Sequence, residues 1–192
     1  MPTLTELIKA YDSCRKHKRT STNALNYEIS WERELYTLNS QLAKKTYKPG
    51  RSICFAVSYP KVREIFAADF RDRIIHHLLI NRIEPYFEKR FIFDSCACRP
   101  NKGSLFAVRR LKHFEQIITE NNTKQAYFLQ LDIKNFFYNI NKQVLMNILT
   151  DKLHKSKITD NEFEENLWLT QVIIFHNPCD NYKLKGDISL LE

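Results

Sequence analysis

The sequence predicts a helix-rich α+β fold. Several long stretches have the spacing of amphipathic helices, in which apolar side chains recur every three or four positions. Two short runs rich in β-branched and aromatic residues, 52–58 and 62–67, flank Tyr59-Pro60-Lys61 and predict a β-hairpin. Hydrophobic residues make up 43% of the 192 residues, enough for a packed core, which excludes a disordered or low-complexity chain.

The N-terminal region predicts two helices. Thr3-x-x-Glu6 is a capping box and begins a helix that extends to about Arg19. A second helix is predicted from about Asn23 to Lys45 and ends at Tyr47-Lys48-Pro49-Gly50, because proline and glycine do not readily continue a helix. Its apolar side consists of Leu25, Ile29, Leu35, Leu38 and Leu42.

A third helix is predicted after the hairpin, from Asp69 to Arg90, with Pro85 marking a kink or a new start. Its buried stripe consists of Ile74, Ile75, Leu78, Leu79 and Ile83. A loop over 94–103 and a helix over 104–120 follow.

The last third of the chain predicts a strand over Tyr127–Ile133 and helices over about 141–154 and 160–175. Alternation along the strand places Leu129, Leu131 and Ile133 on one face and Asp132 on the other.

Composition narrows the function classes. Lys and Arg number 30 against 22 Asp and Glu, a net charge of +8, and residues 1–125 carry net +10 while 126–192 carry net −2. This imbalance favours a polyanionic partner for the first part. Only three glycines occur, which excludes a glycine-rich phosphate loop. No apolar run is long enough for a membrane span and no secretory signal is present, so a cytoplasmic protein with reduced cysteines is expected.

Asp132 is the strongest candidate for chemistry. It ends an otherwise apolar strand, where an unpaired carboxylate is costly to bury, and two aromatic residues follow closely. Such a carboxylate could bind a divalent cation together with the next backbone carbonyl. The alternative is an aspartate that caps the turn after the strand.

Three blocks resemble motifs of reverse transcriptases of the bacterial retroelement type. Arg63 to Leu79 is similar to the first fingers motif, Phe93 to Gly103 with Ala107 to the second, and Leu131-Asp132-Ile133-Lys-Asn-Phe136-Phe137 to the palm motif. The blocks occur in the family's order within residues 45–150. They are most similar to enzymes of diversity-generating retroelements, with group II intron and retron enzymes as more distant relatives.

The resemblance implies a polymerase right-hand fingers subdomain with a β-hairpin and the first part of the palm. The implied domains are a helical extension over 1–50, fingers over 51–125 and a partial palm over 126–192. The Tyr-x-Asp-Asp half of the palm and the thumb have no counterpart here. The chain is therefore expected to be an inactive fragment of an RNA-directed DNA polymerase.

Site roles in the palm motif follow from the same resemblance. Asp132 is the catalytic carboxylate and binds Mg²⁺ or Mn²⁺, of which the complete enzyme uses two, and the Ile133 carbonyl is a second ligand. Phe137 is the steric gate that excludes a ribose 2′-hydroxyl, whereas Phe136 is assigned to packing.

In the fingers motifs the resemblance assigns basic residues. Arg63, assisted by Lys61, binds the dNTP triphosphate. Four further basic residues contact the template or other nucleic acid: Arg99, Lys102, Arg71 and Arg73. Arg71 and Arg73 have the alternative of surface ion pairs with Asp69 and Asp72.

The expected partners are an RNA template, a DNA primer, a dNTP and an accessory protein, with no membrane. Two other classes stay open. The chain could be a non-catalytic nucleic-acid-binding protein derived from such fingers, or a helical adaptor in which Asp132 is buried beside a partner other than a cation.

Overall fold

The protein is described by a computed structural model that covers residues 2–16, 18, 20–59, 62–156 and 158–186. The chain divides into two compact units, one formed by Met1–Ile83 with Lys142–Glu192 and the other by Glu84–Asn141. The boundaries between the two units lie at 83/84 and 141/142. The domain boundaries implied by the family resemblance lie at 50/51 and 125/126. The assignment of fingers and palm therefore stays a prediction.

The fold is helix-rich α+β, as predicted. The helices are α1 (Leu4–Arg15), α2 (Thr22–Glu28), α3 (Trp31–Ala43), α4 (Phe70–Glu88), α5 (Ser104–Ile118), α6 (Lys142–His154) and α7 (Asp160–Phe175). The strands are β1 (Ser52–Val57), β2 (Arg63–Ala67) and β3 (Tyr182–Leu184), and a 3-10 helix spans Phe136–Tyr138. Among the described residues, no helix has both the length and the apolar character needed to cross a membrane.

The predicted hairpin is confirmed. β1 pairs antiparallel with β2, from Ile53 opposite Ala67 to Val57 opposite Arg63. The sequence did not predict β3, which pairs parallel with the other edge of β1 and gives the strand order β2-β1-β3. A three-residue strand at a sheet edge has too few positions for a periodic pattern.

The predicted second helix is two helices. α2 and α3 are separated at Ile29 and Ser30, and Ile29 is almost fully exposed, although the pattern placed it on the apolar side. Leu35, Leu38 and Leu42 on α3 are buried as predicted. The break lets α2 and α3 bury different faces. α1 keeps its predicted capping box but ends at Arg15, before the predicted end at Arg19.

The predicted strand over 127–133 is wrong. These residues form no strand, and Leu131 is 81% exposed. Alternating apolar residues indicate which face of a strand would be buried, but a strand also needs a neighbour whose backbone groups bind its N–H and C=O groups. Within the described residues this segment has no such neighbour.

The core of the first unit contains a cluster of aromatic rings. Tyr11 on α1 stacks on Trp31 at 5.3 Å between centroids and meets Phe70 edge-on at 6.2 Å. Tyr27 on α2 lies 5.4 Å from the same Phe70 ring. The predicted stripe of α4, including Ile74 and Leu78, is buried. Large flat rings contribute much of the apolar area that stabilises this unit.

A buried carboxylate organises the chain before the hairpin. Asp72 on α4 accepts hydrogen bonds from the Tyr47 hydroxyl at 2.8 Å and from the Gly50 backbone N–H at 2.7 Å. Arg71 pairs with it at 3.1 Å. Burial raises the pKa of Tyr47 far above its usual range, and the negative charge of Asp72 and the hydrogen bond to it act in the same direction. Asp72 thus attaches the segment before β1 to the start of α4.

A second buried charge connects three helices. Arg82 on α4 donates to Glu6 on α1 at 2.9 and 3.0 Å and to Glu165 on α7 at 3.1 Å. Burial disfavours the charged form of Glu6, but hydrogen bonds from Arg82 and Thr3 outweigh it and lower the pKa of Glu6 to about 2. The three helices are held together by one guanidinium.

The second unit has a different construction. None of the described residues of α5 is buried, and Leu105, Val108 and Leu111 are exposed. Polar contacts hold its loops instead, including an ion pair between Arg110 and Asp94 at 2.5 Å. This unit therefore depends less on apolar burial than the first.

We predict that Asp72→Ala lowers the free energy of unfolding by about 2–4 kcal/mol, because it leaves the buried Tyr47 hydroxyl and Gly50 N–H without their acceptor. Tyr47→Phe, which removes one bond, should cost about 1 kcal/mol. Urea denaturation measures both. The control is Asp12→Ala on the exposed side of α1, expected within about 0.5 kcal/mol of the unchanged protein; equal effects of Asp72→Ala and Asp12→Ala would contradict this role.

We predict that Glu6 makes folding stability depend on acidity. Its folded pKa of about 2 lies below the ordinary value of 4.5, so its contribution is complete above pH 4.5 and is lost as the pH falls towards 2. Because the Glu6 side chain is 37% exposed, solvent screening reduces this contribution to about 1 kcal/mol.

Glu6→Gln should remove this contribution, which is measured as the difference in unfolding free energy from the unchanged protein across that pH range. The matched control is Glu32→Gln, an exposed position on α3. A Glu6→Gln difference that does not shrink as the pH falls would show that the ion pair with Arg82 is not the cause.

Candidate nucleic-acid interface

Asp132 lies in an exposed, extended part of the second unit. Its side chain is exposed and has no hydrogen-bond or ion-pair partner among the described residues. The flanking Leu131 and Ile133 are exposed as well. The sequence predicted that Asp132 lies at the end of a strand, and no strand is present there. The adaptor hypothesis required a buried carboxylate, whereas this one is exposed. Its oxygens are open to a ligand.

A tight turn around Asn135 connects Asp132 to Phe136 and Phe137. Asn135 has a left-handed backbone (φ 54°), and its carbonyl accepts from the Tyr138 N–H at 3.0 Å. The Ile133 carbonyl accepts from the Phe136 N–H at 3.2 Å, which leaves one of its lone pairs free. Phe136 and Phe137 pack edge to face at 5.2 Å, but Phe137 is 84% exposed. Its ring is available to a ligand.

Arg63 begins β2 directly after the turn of the hairpin, opposite Val57. The side chain is exposed, and no carboxylate within the described chain pairs with it. Lys61, its predicted assistant, lies outside the described residues. Arg63 therefore has all of its guanidinium donors available.

Arg71 and Arg73 differ although both are on the first turns of α4. Arg71 donates to Asp72, to the Lys48 carbonyl and to Gln41, and its guanidinium lies 5.1 Å from the centre of the Tyr47 ring. Among the described residues, the Arg73 side chain makes one hydrogen bond, from Nε to the Ala68 carbonyl at 2.9 Å. Arg71 is thus occupied by the protein itself, with the ion pair to Asp72 that the sequence offered as an alternative, whereas Arg73 keeps most of its donors.

Arg99 and Lys102 are engaged within the second unit. The Arg99 side chain is 8% exposed and donates to the Glu88 carboxylate at 2.6–3.1 Å and to the carbonyls of Ile92 and Ser95 at 2.8 Å. Its hydrogen bonds lower the pKa of Glu88. Lys102 donates to the Phe93 carbonyl and lies over the ring of that residue.

In the protein alone, the Arg99 and Lys102 side chains both hold the loop before α5. Their contacts with nucleic acid stay a prediction.

No group of three or more His, Cys, Asp and Glu side chains that could hold a metal ion occurs within the described part of the chain. Asp132 is therefore a single carboxylate rather than part of a cluster. Divalent ions such as Mg²⁺ prefer several oxygen ligands, so this carboxylate would be one ligand of a larger site.

Two lysines that the sequence analysis did not assign are near Arg73. Lys18, in the turn after α1, and Lys185, just after β3, line one cavity together with it. Lys18 belongs to a basic run over 15–19, a signal that was available in the sequence. Lys185 had no such signal, because its place depends on the pairing of β3 with β1.

Sequence comparison shows a distant relationship to an intron maturase. Nuclear intron maturase 1, mitochondrial, of Arabidopsis thaliana is 27% identical over 105 residues, which are 53% of this chain and 14% of the maturase. Protein YkfC of Escherichia coli (strain K12) is 27% identical over 139 residues, 71% of this chain and 35% of YkfC. The chain thus matches a minor part of each relative. No protein family model matches it.

We predict that Arg99→Ala loosens the loop over 91–103, because it removes five hydrogen bonds to Glu88, Ile92 and Ser95. Hydrogen exchange followed by mass spectrometry should show faster exchange in this loop. Arg109→Ala, an exposed arginine on α5, is the matched control and should leave the exchange unchanged. Equal exchange in the two variants would contradict the assigned role.

Proposed function

We propose that this chain forms the fingers and the beginning of the palm of an RNA-directed DNA polymerase that resembles reverse transcriptases of bacterial retroelements. The observation that carries the proposal is the exposed Asp132 with the exposed Phe137 five residues later, in the block that resembles the palm motif. Exposure leaves the carboxylate and most of the ring available to a ligand, and an exposed phenylalanine is the less common of the two observations.

The basic side chains support a nucleic-acid role. Residues 1–125 carry the net positive charge of the chain, and Arg63 on the hairpin has no carboxylate partner among the described residues. Free guanidinium groups suit phosphate oxygens, which accept two parallel hydrogen bonds. Arg63, assisted by Lys61, binds the dNTP triphosphate, and Arg73 contacts the RNA template.

Arg71, Arg99 and Lys102 act differently in this proposal. Their own protein contacts occupy them, so they shape the surface along which the template and the DNA primer lie. Residues with occupied donors contribute through the position of their neighbours rather than through new phosphate contacts.

The chemistry at Asp132 is phosphoryl transfer. Two divalent ions, Mg²⁺ or Mn²⁺, would supply charge neutralisation at the attacking and leaving oxygens when bound. In this chain Asp132 and the Ile133 carbonyl would hold them, both being oxygen ligands open to solvent. The Phe137 ring would occupy the space of a ribose 2′-hydroxyl and so select deoxynucleotides.

The exposed segment over 127–133 fits this proposal. Its apolar residues alternate as in a strand, but no neighbouring strand accompanies it within the described residues. A palm completed by a Tyr-x-Asp-Asp-bearing half would supply a neighbouring strand and further carboxylates. The relationship to an intron maturase, a class of protein related to reverse transcriptases, supports the same parentage.

We predict that the 192-residue chain alone has no primer-extension activity, because one carboxylate cannot balance two divalent ions. A fusion of this chain with a Tyr-x-Asp-Asp-bearing half should extend a DNA primer on an RNA template. Asp132→Asn in that fusion should lower the rate about a thousandfold, or about 4 kcal/mol of barrier, with unchanged binding of the primer–template.

Phe137→Val in the fusion is the contrasting variant. It should keep dNTP incorporation and raise incorporation of ribonucleotides, since the ring that excludes the 2′-hydroxyl is gone. Full activity of Asp132→Asn would overturn the catalytic assignment. RNA binding without Asp132-dependent synthesis would favour the second candidate, a non-catalytic nucleic-acid-binding protein.

A further inference from the structure

The first unit contains a cavity of about 620 Å³ between the turn after α1, the sheet and the start of α4. Its volume is within the range of sites that enclose a nucleotide-sized ligand. Its wall joins segments distant in the sequence: Lys18 with 20–23, 53–56, 67–73 and 185–186. It does not include Asp132, Phe137 or Arg63.

The charges on the wall have one sign. Lys18, Arg73 and Lys185 line the cavity, and among the described residues no aspartate or glutamate does. None of the three has an ion-pair partner among the described residues. Basic side chains that line one space give it a positive potential. The wall is therefore complementary to an anion.

The three cations are attached to fixed backbone. The turn that carries Lys18 is closed by bonds from the Ser21 N–H and hydroxyl to the Lys18 carbonyl, at 3.0 and 2.9 Å. Lys185 N–H donates to the Cys54 carbonyl on β1 at 2.8 Å. Arg73 is held by its bond to Ala68. The backbone positions of Lys18 and Lys185 are thus defined by hydrogen bonds, while both side chains are exposed.

Two of these cations also lie close to one buried thiol. Burial raises the pKa of Cys14 to about 11, and the charges of Arg73 and Lys18 act in the opposite direction. Both side chains therefore act on the same end of α1, which agrees with their common place on the cavity wall.

The rest of the wall suits a base and a sugar. Phe55 and Ile53 on β1 and Ala67 on β2 form an apolar floor, and the hydroxyl-bearing Thr20 and Thr22 stand at its edge. The Phe55 side chain is only half-buried, so part of its ring faces the cavity. An aromatic ring beside cations is the arrangement by which proteins hold one unit of single-stranded nucleic acid.

We propose that this cavity binds one nucleotide unit of a single-stranded RNA, with its phosphate among Lys18, Arg73 and Lys185 and its base against Phe55. The inference rests on the proposed function, which makes RNA the expected polyanion. It adds a subsite formed without any residue of the palm motif, joining the turn after α1 to the segment after β3.

The test measures binding of a fluorescein-labelled oligouridylate of about twelve nucleotides to the 192-residue chain by fluorescence anisotropy, from about 50 to about 200 mM salt. Lys18→Gln and Lys185→Gln should each weaken binding about threefold to tenfold and reduce the salt slope by about 0.7. Phe55→Leu should weaken binding about tenfold and keep the salt slope.

Lys9→Gln, at an exposed lysine on α1 outside the cavity, is the matched control and should change neither the affinity nor the salt slope. Circular dichroism verifies that every variant is folded.

The outcomes separate the two proposals. If the unchanged chain binds the oligouridylate and the cavity variants behave like Lys9→Gln, the inference falls and the proposed function stands. If the unchanged chain does not bind at low salt, both fall. If UMP binds as tightly as the oligouridylate and with the same sensitivity to Lys18→Gln, the cavity is a mononucleotide site and the polynucleotide assignment is overturned.

Discussion

The Arg82 guanidinium is the contact on which the arrangement of the first unit depends. It joins Glu6 near the start of the chain to Glu165 on α7, with α4 between them. A buried charge of this kind is tolerated only when its partners are in place, so α1, α4 and α7 must assemble together. The segment after α7 then reaches β1, where β3 adds to the sheet and Lys185 takes its place beside the cavity.

The two units illustrate different ways of holding a chain together. In the first, aromatic rings such as Tyr11 and Phe70 and the stripe of α4 provide apolar burial, and a few buried charges fix the geometry. In the second, Arg99 and Arg110 hold the loops by ion pairs while the apolar side chains of α5 stay exposed. The candidate residues Asp132 and Phe137 lie in this second unit, where side chains remain open to a ligand.

The number of free guanidinium donors decides whether an arginine can bind a phosphate. Arg63 and Arg73 keep free donors, whereas Arg71 and Arg99 donate to carboxylates and carbonyls of the protein. All four are arginines within motifs, so residue type could not separate these two pairs. Asp72 follows Arg71 directly in the sequence, which offered this ion pair as an alternative. The pairing of Arg99 with Glu88, eleven residues earlier, depends on how the loop between them folds.

The sequence by itself determined the local features: the capping box at Thr3, the presence of the hairpin around Tyr59-Pro60-Lys61, and the buried stripe of α4. Each depends on residues close in the chain or on one element's periodicity. The tertiary structure alone decided that residues 127–133 form no strand, that β3 pairs with β1, and that Lys18 and Lys185 share a cavity. The reason is physical: a strand's hydrogen bonds and a cavity's wall come from distant segments, and no local pattern encodes which segments will meet.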